Sequence, residues 1–254
     1  MKFNEASSAA YHFVYDVFCD WYIEIAKPIF QGADEAAKAE TRATTAWARD
    51  QILKILHPFM PYITEELWAR IAEGGAQRET LLIEAPWPVV TAPAGAEAAS
   101  AEMNWVIALV SGVRSVRTEM NVPPSAKIAL LLKDPDPQTA ERLARHKDVI
   151  LQLARLTSVE AASTLPKGTA QFLVGETVAG LPLGDVIDFA KERTRLEKEL
   201  KKATDEIARF DAKLGNEQFV AKAPEDVLTE QREKRLEAMA TAARLKEAVA
   251  RLAT

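Results

Sequence analysis

A chain of 254 residues, 48% of them hydrophobic, is long enough to bury roughly two or three compact cores. Its one cysteine, Cys19, excludes an internal disulfide framework and fits a reducing compartment. There is no run of about twenty apolar residues to span a membrane, and Met1-Lys2-Phe3-Asn4-Glu5 lacks the apolar core of a secretion signal, so a cytoplasmic protein is expected. The net charge of −5 speaks against a globally basic nucleic-acid binder and leaves that role to local patches.

The first stretch, expected as a unit over residues 1–90, reads as helical. Apolar positions run Ala6, Ala10, Phe13, Val17, Trp21 and Ile25, widened by Val14, Phe18 and Tyr22, until Pro28 is expected to end the helix. A second helix is predicted from about Ala33 to Leu56, carrying Trp47, Ile52, Leu53 and Ile55. His57-Pro58-Phe59-Met60-Pro61-Tyr62 should leave helical geometry, because each proline restricts the residue before it. Thr64 is the expected cap of the next helix, with Glu65 and Glu66 at its positive end and Gly74-Gly75 closing it. Three helices are few for a closed bundle.

The Ala/Gly/Pro-rich segment from Thr91 to Ser100 reads as a connection. The middle unit, expected over 91–184, is mixed. A helix from about Ala101 to Met120 leads through Asn121-Val122-Pro123-Pro124 into a strand at Ile128–Leu132, bounded by Asp134-Pro135. A helix from Pro137 to Leu156 follows, then small strands at Val159–Ala162, Ala170–Val174 and Thr177–Leu181, the last two joined as a hairpin at Gly175-Glu176.

The last unit, 185–254, is two heptad-like segments. On the first, Phe189, Leu196, Leu200, Ala203, Ile207, Phe210 and Leu214 form one narrow stripe that seeks a single partner helix. Gly215 and Asn216 should stop it through a left-handed turn, and Pro224 should start the next. The second stripe is less regular, through Leu228, Leu236, Met239, Ala242, Leu245, Val249 and Leu252. Each helix of roughly thirty residues would reach about 45 Å. The expected fold is therefore mainly α: a helical bundle, a small α+β subdomain and a long antiparallel coiled-coil hairpin.

No catalytic constellation is present: there is no phosphate-cradling glycine loop and no Gly-x-Ser-x-Gly elbow. His12, His57 and His146 lack metal-type spacing with Cys19. His12 and Cys19, seven apart, are expected as a packed core pair, and His57 as a residue that satisfies backbone groups at a helix break. The Trp and Tyr residues of the first unit are expected in the core rather than as platforms for stacking bases. Arg114 and Arg117, one helical step apart beside a turn, suit either phosphate contact or a structural ion pair. In the hairpin, Lys191, Arg193, Arg195, Lys198, Lys201 and Lys202 are opposed only by Glu192, Glu197 and Glu199. Two readings stay open there: a solvated face laced with pairs such as Glu197–Lys201 and Asp205–Arg209, or a stripe that tracks phosphates.

Several stretches resemble one family. His57-Pro58-Phe59-Met60-Pro61-Tyr62-Ile63-Thr64-Glu65-Glu66-Leu67-Trp68 resembles the anticodon-binding domain of the class I aminoacyl-tRNA synthetases for branched aliphatic amino acids, as do Asn4-Glu5-Ala6 and Phe18-Cys19-Asp20-Trp21-Tyr22-Ile23-Glu24. Val113-Arg114-Ser115-Val116-Arg117-Thr118-Glu119-Met120-Asn121-Val122-Pro123-Pro124 looks like the valyl branch. Leu214-Gly215-Asn216-Glu217-Gln218-Phe219-Val220-Ala221-Lys222-Ala223-Pro224 resembles the turn of that branch's C-terminal coiled coil. The family's catalytic fold, its His-Ile-Gly-His and Lys-Met-Ser-Lys-Ser motifs and its editing domain have no counterpart here.

The resemblance implies a C-terminal portion, inactive alone, that recognises tRNA-Val for an enzyme attaching valine with ATP. No catalytic residue, cofactor or metal site is then expected in this chain, since ATP and magnesium belong to the absent catalytic domain. The helical unit would approach the anticodon, and the arm would reach the outer corner of the tRNA. Expected tRNA contacts are Lys191, Arg195, Lys198, Lys202, Arg209 and Lys213, with Lys222 at the tip, beside Arg114 and Arg117; Arg193 and Arg235 lie nearer the seam. Partners would be tRNA-Val and the missing catalytic and editing domains, on a monomer away from membranes. The rival reading is a protein-interaction module that dimerises through its arm.

Overall fold

The computed structural model describes residues 2–73, 77–222 and 224–251, without the side chains of Glu217, Val220 and Lys222. The chain packs as two units, 1–101 and 102–254, so the expected α+β subdomain and arm both fall in the second. The expected closure at Gly74-Gly75 and the stripe position Leu252 lie outside the described residues.

The first unit opens on α1 (Phe3–His12), which runs on as a π-helical stretch over Phe13–Ile23 and then as α2 (Glu24–Gln31). Pro28 does not end the helix as expected. It removes one main-chain bond, but the helix runs on to Gln31, and Gly32 N–H closes it on the carbonyls of Pro28 and Ile29. The wider i→i+5 winding also redistributes side chains, so spacing read at α-helical period misleads. His12 and Cys19 are not a packed pair: His12 Nδ1 meets Asp16 at 2.7 Å, and Cys19 is exposed.

Asp34 caps α3 (Glu35–Leu56), accepting from the N–H groups of Ala36 and Ala37 at 2.9 and 3.0 Å. The next helix, α4 (Pro61–Glu73), begins at Pro61 rather than at Thr64, because proline suits a first helical turn. Thr64 therefore sits inside the helix and donates to Met60 O at 2.8 Å. His57 does not take up backbone groups as expected; its Nδ1 meets the Thr64 hydroxyl at 2.8 Å. Leu53, Trp68 and Leu82 form the small core. Among the described Trp and Tyr residues of this unit, only Trp68 is buried as expected, with its Nε1 donating to Thr80 O at 3.1 Å. Tyr11, Tyr15, Trp47, Tyr62 and Trp87 are instead exposed, Tyr62 at 91%. Periodicity tells which side chains share a face, but not whether another element covers it.

The second unit is built on α5 (Ala96–Glu119), whose first turns lie in the first unit. It starts at Ala96, shortening the expected connection, because Gly95 turns at φ +82° and the alanines after it favour helix. Val106, Leu109, Val110, Val113 and Val116 are fully buried. Then come β1 (Ile128–Lys133), α6 (Pro137–Ala154), β2 (Leu156–Ala162), β3 (Thr169–Val174) and β4 (Thr177–Pro182), forming a sheet of order β2-β1-β4-β3. β1 and β2 are parallel across the α6 crossover, and β4 pairs antiparallel with both β1 and β3. Gly175, at φ +60°, makes the predicted tight hairpin, with Val174 opposite Thr177. Asp136 caps α6, and Arg155, at φ 54°, ends it in a left-handed turn. β2 therefore begins at Leu156, the residue expected to end the helix, and three residues before the expected strand.

The arm is α7 (Phe189–Leu214), a short α8 (Glu217–Lys222) and α9 (Glu225–Arg251). The two long helices reach about 39 and 40 Å at 1.5 Å per residue, somewhat under the expected length. Arg195 near the start of α7 and Arg251 at the end of α9 both meet Glu119, so the helices run antiparallel. The α7 stripe is as predicted: Leu196 and Ala203 are buried and Leu200, Ile207, Phe210 and Leu214 half-buried. On α9 two predicted members point outward, Leu236 at 61% and Met239 at 43% exposure. Ala238 and Ala248 are buried instead, since several alanines offer more than one stripe and close packing selects the smallest. Gly215 is not left-handed (φ −82°, ψ −7°); its N–H bonds Asp211 O at 2.8 Å. Asn216 caps α8, accepting from the N–H groups of Gln218 and Phe219. Pro224 precedes α9, and its carbonyl accepts from Leu228 N–H at 3.1 Å.

Candidate nucleic-acid interface

Asp188 starts the arm by accepting from Ala190 and Lys191 N–H at 3.1 Å, and the hydrogen bonds at Lys191 hold its carboxyl below the usual range. At 3.6 residues per turn, Lys191, Arg195, Lys198, Lys202, Arg209 and Lys213 fall within about 60° of one another on α7. The seam lies on the far side of the helix, and every member of this row but the half-buried Arg195 is exposed. Lys198, Lys202, Arg209 and Lys213 are exposed and form no ion pair with any described residue, and neither does Lys201. The expected Glu197–Lys201 and Asp205–Arg209 pairs are not formed; Glu197 pairs with Arg193 at 3.0 Å. Lys191 pairs with Asp188 at 3.3 Å yet keeps its side chain 86% exposed.

Arg195 is spent differently from the rest of the row. Its guanidinium is held by Glu192 and by Glu199 at 2.7 Å, and it donates to the main-chain carbonyl of Glu119 at 2.9 Å. The hydrogen bond it donates to Glu192 outweighs burial and raises its pKa well beyond the ordinary guanidinium value. Arg195 is thus a fastener of the arm root, with its charge already matched by two carboxylates. Arg235, expected near the seam, is half-buried and pairs with Asp211 at 2.5 Å; Arg193 is exposed. Lys222, expected at the tip, has a side chain outside the described residues.

Arg114 and Arg117 both bond main-chain oxygens. Arg114 reaches Leu153 O at 3.1 Å, and the buried Arg117 donates to Ala126 O at 2.8 Å and Pro123 O at 3.2 Å. These bonds fasten α5 to the turn before β1 and to the end of α6. Arg155, which spacing along the chain does not single out, lines the same cleft. Its only sequence signal is a basic residue at a helix C-terminus.

Residues 188–253 match the family model described as the valyl tRNA synthetase tRNA binding arm, a span that opens on the α7 cap and carries the whole basic row. Residues 1–132 match the model described as the anticodon-binding domain of tRNA ligase, which is more than half of the chain. The chain belongs to the valyl-tRNA synthetase family.

Relatives agree with that family membership. The valine–tRNA ligase of Caulobacter vibrioides is 51% identical over 253 residues, covering 100% of this chain and 28% of its own length. Those of Mesorhizobium japonicum and Rhizobium meliloti are 51% and 50% identical, over 92% and 93% of this chain and 25% of their own. The chain thus spans about a quarter of the curated valyl-tRNA synthetase relatives it matches. The family segment His57–Trp68 builds the α3–α4 junction, and Val113–Pro124 forms the α5 end to which the arm is tied. Among the described residues no helix is long and apolar enough to cross a membrane. The α7 stripe is already filled by α9, so the arm does not offer the open seam that a dimerising module needs.

Proposed function

We propose that this chain is the tRNA-recognition part of a valine–tRNA ligase, serving ATP-dependent attachment of valine to tRNA-Val. One observation carries the reading: the outward row Lys198, Lys202, Arg209 and Lys213 stands without carboxylate partners among the described residues, on an arm anchored at its root. Unmatched cations along one helix face suit a phosphate backbone, which positions RNA without reading its sequence. The helical unit specifies by meeting unpaired anticodon bases, which side chains can reach, whereas a stem offers mainly shape and phosphates. Together they would hold the acceptor end at a distant catalytic site, an orientation effect on rate. ATP and magnesium would act in that catalytic domain, and the assembly would work as a cytosolic monomer. Of the residues expected to touch tRNA, Lys191 stays at the margin of the row, and Arg195 supports the arm rather than the RNA.

The test is binding of a tRNA-Val transcript to the full chain across a salt series. Replacing Lys198, Lys202, Arg209 and Lys213 together by Ala should flatten the plot of log affinity against log salt, by about 0.7–0.9 for each phosphate no longer neutralised. An unchanged slope removes the arm from the interface.

A further inference from the structure

Where α5 ends, Asn121 turns at φ 50° toward β1, and opposite it Arg155 closes α6 at φ 54°. These two left-handed turns border a cleft of about 570 Å³ lined by Arg114, Arg117 and Arg155, with no carboxylate among its described lining residues. Neutral carbonyl oxygens orient two of the guanidinium groups: Pro123 and Ala126 for Arg117, and Pro124 for Arg155 at 2.8 Å. A carbonyl fixes the direction of a guanidinium but does not neutralise its charge. Arg117 is only 9% exposed, and its Nη1 has no hydrogen-bond partner.

A buried cation with a spare donor, beside further guanidinium groups, is a costly arrangement in the absence of an anion. Burial first, then the charge of Arg155, pushes the Arg117 pKa down, as crowding of like charges requires. Planar forks converging on one concave site match the oxygens of a phosphate better than those of a single carboxylate. We propose that this cleft is a phosphate-binding site, with Arg117 at depth and Arg114 and Arg155 on its exposed rim. The phosphate comes either from the backbone of bound RNA or from a free phosphorylated compound. Only the first source rests on the tRNA-binding function proposed above.

The experiment is a thermal-shift titration of the full chain with inorganic phosphate, against sodium chloride at matched ionic strength. Phosphate should stabilise the parent saturably where chloride does not. Arg155→Gln keeps an amide able to donate to Pro124 O, and should weaken the phosphate response at least tenfold. Arg114→Gln is the second variant, for use if the first does not fold. A parent with no saturable response beyond chloride overturns the site, and so do two variants that both respond like the parent. The source is then read with the tRNA transcript. A matching tenfold loss of RNA affinity in Arg155→Gln supports a backbone phosphate; lost phosphate response with RNA affinity intact supports a small phosphorylated ligand. Failure of the full chain to bind the tRNA transcript at any salt would sink the tRNA reading while leaving the phosphate titration untouched.

Discussion

Arg195 Nη2 donates to the main-chain carbonyl of Glu119 at 2.9 Å, although 76 positions separate them in the chain. The Glu119 carboxylate also pairs with Arg251, so one residue at the end of α5 holds both helices of the arm at their shared root. That root decides where the basic row of α7 points. A lever about 39 Å long would turn a small change at Glu119 into a large displacement at the tip.

Glu119→Ala should therefore loosen the arm without disturbing the first unit. Loss of a charged, half-covered hydrogen-bond partner costs about 1–2 kcal/mol. The main-chain carbonyl that Arg195 uses survives in this variant, so amide exchange should speed up over Leu245–Arg251 at the end of α9, where the carboxylate pair is lost, and stay unchanged at Ile52 and Leu53. Equal exchange at both places would mean that Glu119 does not hold the arm.

In the first unit, Arg78 lies 3.7 Å over the Trp68 ring and grips both oxygens of Asp50, at 2.7 and 2.9 Å. Burial pushes the Asp50 carboxyl up, but the hydrogen bonds and charges of Arg78 and Arg49 outweigh it and hold the pKa below the ordinary 3.8. A pKa lowered by folding means that the unfolded state binds the proton first. This contribution is therefore complete above 3.8 and is lost as pH falls through the lower folded value. The difference in urea midpoint between parent and Asp50→Asn should shrink on acidification below that point; a constant difference would contradict it.

Gly112 on α5 faces the buried Phe172 ring, and a Cβ there would stand 2.4 Å from Phe172 Cε2. Alanine is the better helix former by about 1 kcal/mol, yet Gly112→Ala should destabilise by about 1–3 kcal/mol through overpacking. Adding Phe172→Leu should return part of that loss. Denaturant melts of the three variants would decide, and a more stable Gly112→Ala protein would refute the close approach.

The arm seam separates two leucines that look alike in the sequence. Leu196 is 1% exposed and Leu236 is 61% exposed. Leu196→Ala should cost about 2–5 kcal/mol, while Leu236→Ala should stay within about 0.5 kcal/mol of the parent. Equal costs in urea unfolding would place Leu236 back in the seam.

Sequence alone determined the elements whose signals are local. Two short strand segments and a Gly-Glu turn located the β3–β4 hairpin, a step of seven followed by fours and threes drew the α7 stripe, and the order of family motifs identified the lineage. The row Lys191, Arg195, Lys198, Lys202, Arg209 and Lys213 could be drawn from helical spacing, since spacing along a regular helix fixes a face. Only tertiary structure decided what each face meets. It turned Arg195 into a fastener, sent Leu236 and Met239 to solvent, left Tyr11 and Trp47 uncovered, and brought Arg155 to Arg114 and Arg117. Those outcomes depend on partners distant in the chain and on an i→i+5 winding that breaks the assumed period. Burial and charge matching are properties of neighbours in space, and neighbours in space are what a linear reading does not contain.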